Sequence, residues 1–505
     1  MPNAVAIELD RRHGDTFTCL DVVKGNVRLY LSSEETLAHI QIKMEAVSRS
    51  TLVVPKHRKG RDKPNSKKTV SESHKLLYVT QILFPPEDVR NLDSKGTGKD
   101  GFTLAPGQYY YPFEFRIPIN NRCLQSSSFI SKFSFSEGVD FSKDPRQHFT
   151  TTLPPSLSDM DEATIKYFFK VTVKRAAFYK INMRQYNPFI FLPFEPPRPV
   201  TSGQQFFVRR KHRFNYTPVS GRINGSAQSQ KKKKGFFSSL TSTSRSVSFL
   251  RQAGPEFYIE ARMPDPPIVV PTEQIPLRLF IRSDEQCTTP IYLHSLQINL
   301  VSHTLVAAQE HNKDIAFALT VVNLQNMKLP MGTMTNPAPA VYEAEFDRNK
   351  WPNAFLPNSV PPTFKTCNIA RRYSMEIFMV ISHGPTGDAD TVALAFDVNV
   401  YSGISPPEPL LHAIKEARQQ AAVPNPYQIG PAAKHTPSTT QSTAITSEND
   451  THRLSGPSPP PPADSLPTYD EAIASKVKPV SGPRRNFEQS ANYYANMDDI
   501  DRDEK

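Results

Sequence analysis

From residue 20 to 200, and again from about 256 to 401, apolar residues alternate with polar ones at period two and almost never recur at helical spacing. A strand turns successive side chains to opposite faces, so this alternation specifies sheets with one face packed inward. Val27, Leu29 and Leu31 form one set, and Ile40, Ile42 and Met44 another. Tyr167, Phe169, Val171 and Val173 alternate with Phe168, Lys170, Thr172 and Lys174. The second stretch repeats the pattern in Ile275, Leu277, Leu279 and Ile281, then in Leu296, Ile298 and Leu300. Tyr373, Met375, Ile377 and Met379 follow, and Val392, Leu394, Phe396, Val398 and Val400 make the cleanest run. The predicted fold class is all-β, with two sandwiches in tandem and no tandem sequence repeat. Helical-bundle and collagen-like classes are excluded.

Between the two stretches, Thr201 to Gly254 is rich in Ser, Gly, Lys and Arg and reads as a linker or long loop. It holds eleven cations and no Asp or Glu, which is the whole of the chain's net charge of +11. The remainder sums to zero, so no protein-wide field for nucleic acid exists and no nucleic-acid partner is expected. Lys231, Lys232, Lys233 and Lys234 stand beside Phe236 and Phe237. Cations among lipid headgroups with rings at the interface suit an anionic membrane, at about 1 kcal/mol per Lys. The same residues also suit a solvated loop, a localisation signal or an RNA contact. Ser246 and Ser248 are candidate phosphorylation sites whose modification would cancel nearby positive charge.

After Tyr401 the composition changes again. Residues 406 to 505 hold 15 prolines, while Leu, Ile, Val and Phe make only 13 of 100 residues. Such a segment is expected to be disordered, with one short helix over Leu410 to Ala422. The predicted domain limits are therefore 1–200, 201–254, 255–405 and 406–505. Within the tail, Pro457 to Pro462 favours polyproline II, and Leu466-Pro467-Thr468-Tyr469 follows. A Pro two places before a Tyr sets ring and phenol on one side of an extended turn, which fits recognition by a WW domain, with LPxY in place of PPxY. Read blandly, the same four residues are plain linker. The acidic residues Asp498, Asp499, Asp501, Asp503 and Glu504 form either a solvated end or a latch onto the basic segment.

Cys19, Cys123, Cys287 and Cys367 are scattered, with no CxxC pair and no His spacing suited to zinc. They are expected to be reduced core thiols, and no metal or cofactor is expected. Gly96 to Gly101 matches GxGxxG but leads into Phe102-Thr103-Leu104, a strand or turn rather than the helix a phosphate cradle needs. No grouping suggests acid–base or nucleophilic chemistry, so no catalytic residue is assigned. No secretory leader and no run of ~18 apolar residues occurs, and a cytoplasmic protein is expected.

Leu104-Ala105-Pro106-Gly107-Gln108-Tyr109, leading into Phe113-Glu114-Phe115-Arg116-Ile117-Pro118, resembles the arrestin N-domain. There a Leu-x-x-Gly-x-Tyr turn feeds a strand ending in Phe-x-Phe-x-x-Pro. Gly25-Asn26-Val27 is similar to the family's early Gly-x-Val strand, and Phe364 to Ile377 is similar to fungal members. The resemblance spans roughly residues 15 to 200 and 255 to 402. It implies two arrestin-like, immunoglobulin-type β-sandwiches. With the xPxY tail, it implies an α-arrestin, an arrestin-related trafficking adaptor. Such proteins recruit a Nedd4-type HECT ubiquitin ligase, through its WW domains, to cytosolic tails of membrane transporters or receptors. Ubiquitination of those tails drives endocytosis, and the adaptor is recruited peripherally to plasma membrane or endosomes. Carried over, the ligase contact is Leu466, Pro467, Thr468 and Tyr469. The alternatives are an arrestin-like signalling scaffold, as in ambient-pH sensing, or an anionic-lipid-binding protein acting through the basic segment.

Overall fold

The computed structural model describes residues 3–10, 16–55, 67–93, 101–121, 123, 151–159, 162–199, 203–215, 253–287, 289–331, 334–338, 341–412, 477–478, 484–495 and 497. Their strands form four sheets, two per sandwich. In the N-terminal sandwich, Ala4–Leu9, Val22–Leu31 and Gly107–Arg116 make a three-stranded sheet. It faces a seven-stranded sheet whose main path runs Thr16–Phe17, Met183–Phe191, Ala163–Arg175, Glu35–Pro55, Lys67–Phe84. The alternating sets supply the interior: Val27, Leu29 and Leu31 are at most 1% exposed, and Ile40, Ile42 and Met44 are fully buried. Phe113 and Phe115 point inward, with ring centroids 5.7 and 5.8 Å from that of Phe169. Gly25 pairs with Phe113 across the sheet, and a Cβ there would lie 2.3 Å from the Glu8 carbonyl oxygen and 2.8 Å from the Phe113 ring. The Gly of Gly-x-Val is thus the space that Phe113 fills. The Pro106 bend is held by Tyr109, whose hydroxyl donates to the Ala105 carbonyl at 2.8 Å.

The C-terminal sandwich repeats the plan. A five-stranded sheet of Gln205–Asn215, Ala253–Pro264, Arg278–Ser283, Val341–Glu345 and Thr335–Ala338 faces a seven-stranded one. The latter's main path runs Ile268–Val269, Ala389–Val400, Ile369–His383, Ile291–Ala308, His311–Leu324. Matching details mark the two sandwiches as versions of one unit. The Tyr167 hydroxyl donates to the Pro154 carbonyl, and the Tyr373 hydroxyl to the Pro361 carbonyl, each at 2.6 Å. Ser156 Oγ accepts from the Phe191 N–H as Thr363 Oγ1 accepts from the Val400 N–H.

The start of the segment read as a linker belongs instead to the second sandwich. Gln205–Asn215 pairs antiparallel with Ala253–Pro264 and is its edge strand. Its cations are matched to carboxylates: Arg209 to Glu260 at 2.7 Å, Arg213 to Glu256 at 2.8 Å, and Lys211 also to Glu256. Glu260 is 1% exposed and also meets Arg262, so it is fully compensated. Arg210, on the same strand, donates to the Ala393 carbonyl, and the other seven cations of 201–254, from Arg222 to Arg251, lie outside the described residues.

The sandwiches meet along polar seams. Ser48 Oγ donates to Asn368 Oδ1 at 2.6 Å, and Ser50 Oγ donates to the Ala307 carbonyl. Ile404 and Leu410, which follow the second sandwich, bury their side chains in the core of the first. Leu410 lies in a helical turn at 408–412, the described part of the predicted helix.

Candidate functional site

A strap crosses both sandwiches. Residues 484–495, within a tail whose composition supports no core of its own, lie on the N-terminal sandwich and bury Phe487 and Tyr493 completely. The strap carries no regular strand. Two side chains enter ready-made holes, and polar groups tie the backbone between them.

Asp21, fully buried, presents both oxygens to the guanidinium of Arg484, one of them at 2.8 Å. It also accepts from the Thr18 N–H at 3.0 Å. Phe487 follows, its N–H donating to Thr16 Oγ1 at 3.0 Å. The Tyr493 hydroxyl sits where three elements converge: it donates to the Phe189 carbonyl at 2.7 Å, accepts from the Tyr167 N–H at 3.0 Å, and lies 2.9 Å from Ser156 Oγ. Lys166 reaches the Ala495 carbonyl, and Arg116 the carbonyl of Val477, farther up the tail. Arg485 turns the other way, donating to the carbonyls of Asn358, Val360 and Ser402 in the second sandwich. The strap therefore grips both halves. A cleft of about 260 Å³ remains beside it, lined by Leu157, Leu300, Pro361, Tyr373, Glu488 and Gln489 among others.

Burial raises Tyr493 above the ordinary phenol range, opposed in part by its bonds to Ser156 and Tyr167, and burial raises Tyr167 likewise. A raised phenol contributes stability that is complete below the unfolded value of ~10 and is lost as pH rises through the folded value. Burial lowers Arg485 to about 10 from 12.5, so between those values its contribution grows with pH and opposes the phenols. Tyr167 belongs to the first sandwich and bonds Pro154 there, so the strap's own balance sets Tyr493 against Arg485, and the Tyr493 phenol is expected to ionise only on release. In a tyrosinate absorbance titration, the wild type minus Tyr493→Phe difference should show no phenolate near pH ~10. It should then appear together with strap release; a phenolate at the ordinary midpoint contradicts the buried seat.

Leu466 to Tyr469, Lys231 to Lys234, Phe236, Phe237, Ser246 and Ser248 lie outside the described residues, as do Asp498, Asp499, Asp501, Asp503 and Glu504. The docked residues just before that acidic end were not legible as a site. Their one sequence signal is three rings, Phe487, Tyr493 and Tyr494, in an otherwise largely polar stretch.

Paired sandwiches with these N-terminal motifs define an arrestin-like architecture. Residues 5–191, the extent of the first sandwich, match the arrestin (or S-antigen) N-terminal domain family. The chain is also 30% identical over 130 residues to Arrestin-related trafficking adapter 10 of Lachancea thermotolerans. That match covers 25% of this chain and 30% of the relative. Proteins of this class are generally not enzymes. No helix among the described residues is long and apolar enough to cross a membrane.

Proposed function

We propose that this protein is a trafficking adaptor that recruits a Nedd4-type HECT ubiquitin ligase, through Leu466, Pro467, Thr468 and Tyr469, to cytosolic tails of plasma-membrane transporters or receptors. Ubiquitination of those tails then promotes endocytosis. The reading rests on the match to the arrestin N-terminal domain family together with an LPxY tail, and the name of the relative agrees with it. The strap supplies a geometric argument for the tether. Val477 is fixed by Arg116, and Tyr469 stands eight residues earlier. At no more than ~3.6 Å per residue, the Cα of Tyr469 cannot lie more than ~29 Å from that of Val477. A ligase bound there stays close to whatever the sandwiches hold, at high effective concentration. The seven cations of 222–251 would favour an anionic membrane surface, with Lys231 to Lys234 beside Phe236 and Phe237 as its centre.

The test uses the full chain and the isolated WW domains of such a ligase. Binding is expected in the micromolar range, weakened at least tenfold by Tyr469→Ala and by Pro467→Ala. Equal binding by wild type and both variants would remove the ligase contact from this motif and leave a scaffold.

A further inference from the structure

The fold brings together three groups that no sequence spacing joins. His74 stands on Lys67–Phe84 of the first sandwich, and Cys123 follows the bridge between Asn120 and Thr152. Cys367 belongs to the second sandwich, in the turn between Phe364–Lys365 and Ile369–His383. A nitrogen of the imidazole and the two sulfurs lie within 4.8 Å of one another. Cys123 and Cys367 are 8% and 2% exposed, and the His74 side chain 10%. Glu72 completes the arrangement. One of its oxygens is 2.6 Å from His74 Nε2, and the other accepts from the Gln309 N–H of the second sandwich at 2.6 Å. A carboxylate on Nε2 places the imidazole proton there and turns the Nδ1 lone pair toward the thiols.

We propose that His74, Cys123 and Cys367 form a zinc site that joins the two sandwiches, with Glu72 orienting the histidine. The donor set is that of zinc: two sulfurs and an imidazole nitrogen, backed by a carboxylate. Tetrahedral coordination with ordinary bond lengths sets nitrogen and sulfur ~3.6 Å apart. His74 Nδ1 and Cys123 Sγ are 3.6 Å apart. Binding takes one proton from each thiol and releases both to solvent, so two thiolates balance the dication and the buried centre is neutral. The fourth position is left to water or to a donor from a partner. Because Cys367 comes from a different sandwich than His74 and Cys123, the ion would fasten the interdomain seam beside the Ser48–Asn368 and Ser50–Ala307 contacts.

The test is elemental analysis of the full-length protein after exhaustive dialysis, followed by competition with a chromophoric chelator. One zinc per chain is expected. Cys123→Ser and Cys367→Ser should each weaken binding at least 100-fold, and Glu72→Gln about tenfold, the lower end for loss of an orienting partner. Two measurements need no variant. Cobalt exchanged into the wild type should show thiolate-to-cobalt charge transfer with the intense visible bands of tetrahedral coordination. Alkylation should spare Cys123 and Cys367 until chelator is added, while the partly exposed Cys287 reacts throughout. Substoichiometric zinc, with the two cysteines recovered either as freely alkylated thiols or as a disulfide with each other, would overturn the proposal.

Discussion

Replacing Arg484 by Ala should release the strap. Asp21 is fully buried, and removing the guanidinium would leave its charge in the interior, a loss of about 3–5 kcal/mol where such pairs are broken. Detachment offers an escape, because it rehydrates Asp21. The observed loss is then capped by the docking free energy, and the variant should populate the released state rather than unfold. Amide exchange at 484–495 should accelerate at least tenfold, while the strands of both sandwiches keep their protection. Asp21→Asn retains an acceptor without the charge, so adding it to Arg484→Ala should restore part of the docking. A double variant as exposed as Arg484→Ala alone would show that the ion pair does not hold the strap.

Tyr493→Ala should act through the second anchor with comparable force. The side chain is fully buried, and its truncation empties an aromatic-sized hole, a class of change that costs about 3–5 kcal/mol. It also deprives the Tyr167 N–H of the phenol oxygen it donates to. Tyr493→Phe keeps the ring and loses only the polar contacts, so it should cost about 1–3 kcal/mol. Limited proteolysis of the full chain should cut near 484–495 fastest in the Ala variant, more slowly in the Phe variant and slowest in the wild type. Equal rates in all three would mean that Tyr493 anchors nothing.

The sandwiches were legible because burial alternates with the chain itself. Tyr167, Phe169, Val171 and Val173 read as one face and are all fully buried. The opposite face was only half read: Phe168 is fully buried and Lys170 nearly so, with its ammonium over the Tyr186 ring. Charge concealed the edge strand Gln205–Asn215. Phe206, Val208 and Phe214 do alternate inward, but Arg209, Lys211 and Arg213 on the other face resemble a solvated loop until their carboxylates appear on the neighbouring strand. The strap was hidden for a different reason. Its two buried rings are separated by Glu488, Gln489, Ser490, Ala491 and Asn492, with no apolar alternation between them, and the groups they bond are hundreds of positions earlier. The grouping of His74, Cys123 and Cys367 depends on the docking of two domains, and no local pattern encodes that.

The distance along the chain between the strap and its seat also sets an order of events during synthesis. The groups that bond Phe487 and Tyr493, on Thr16, Ser156, Tyr167 and Phe189, are all made before Phe191, whereas the two rings emerge roughly 300 positions later. At about 5–20 residues per second, that interval lasts roughly 15 to 60 seconds. A first sandwich that folds before the strap emerges would present an adhesive surface through that interval. Cells making this protein are expected to shield that surface with a chaperone until the strap arrives.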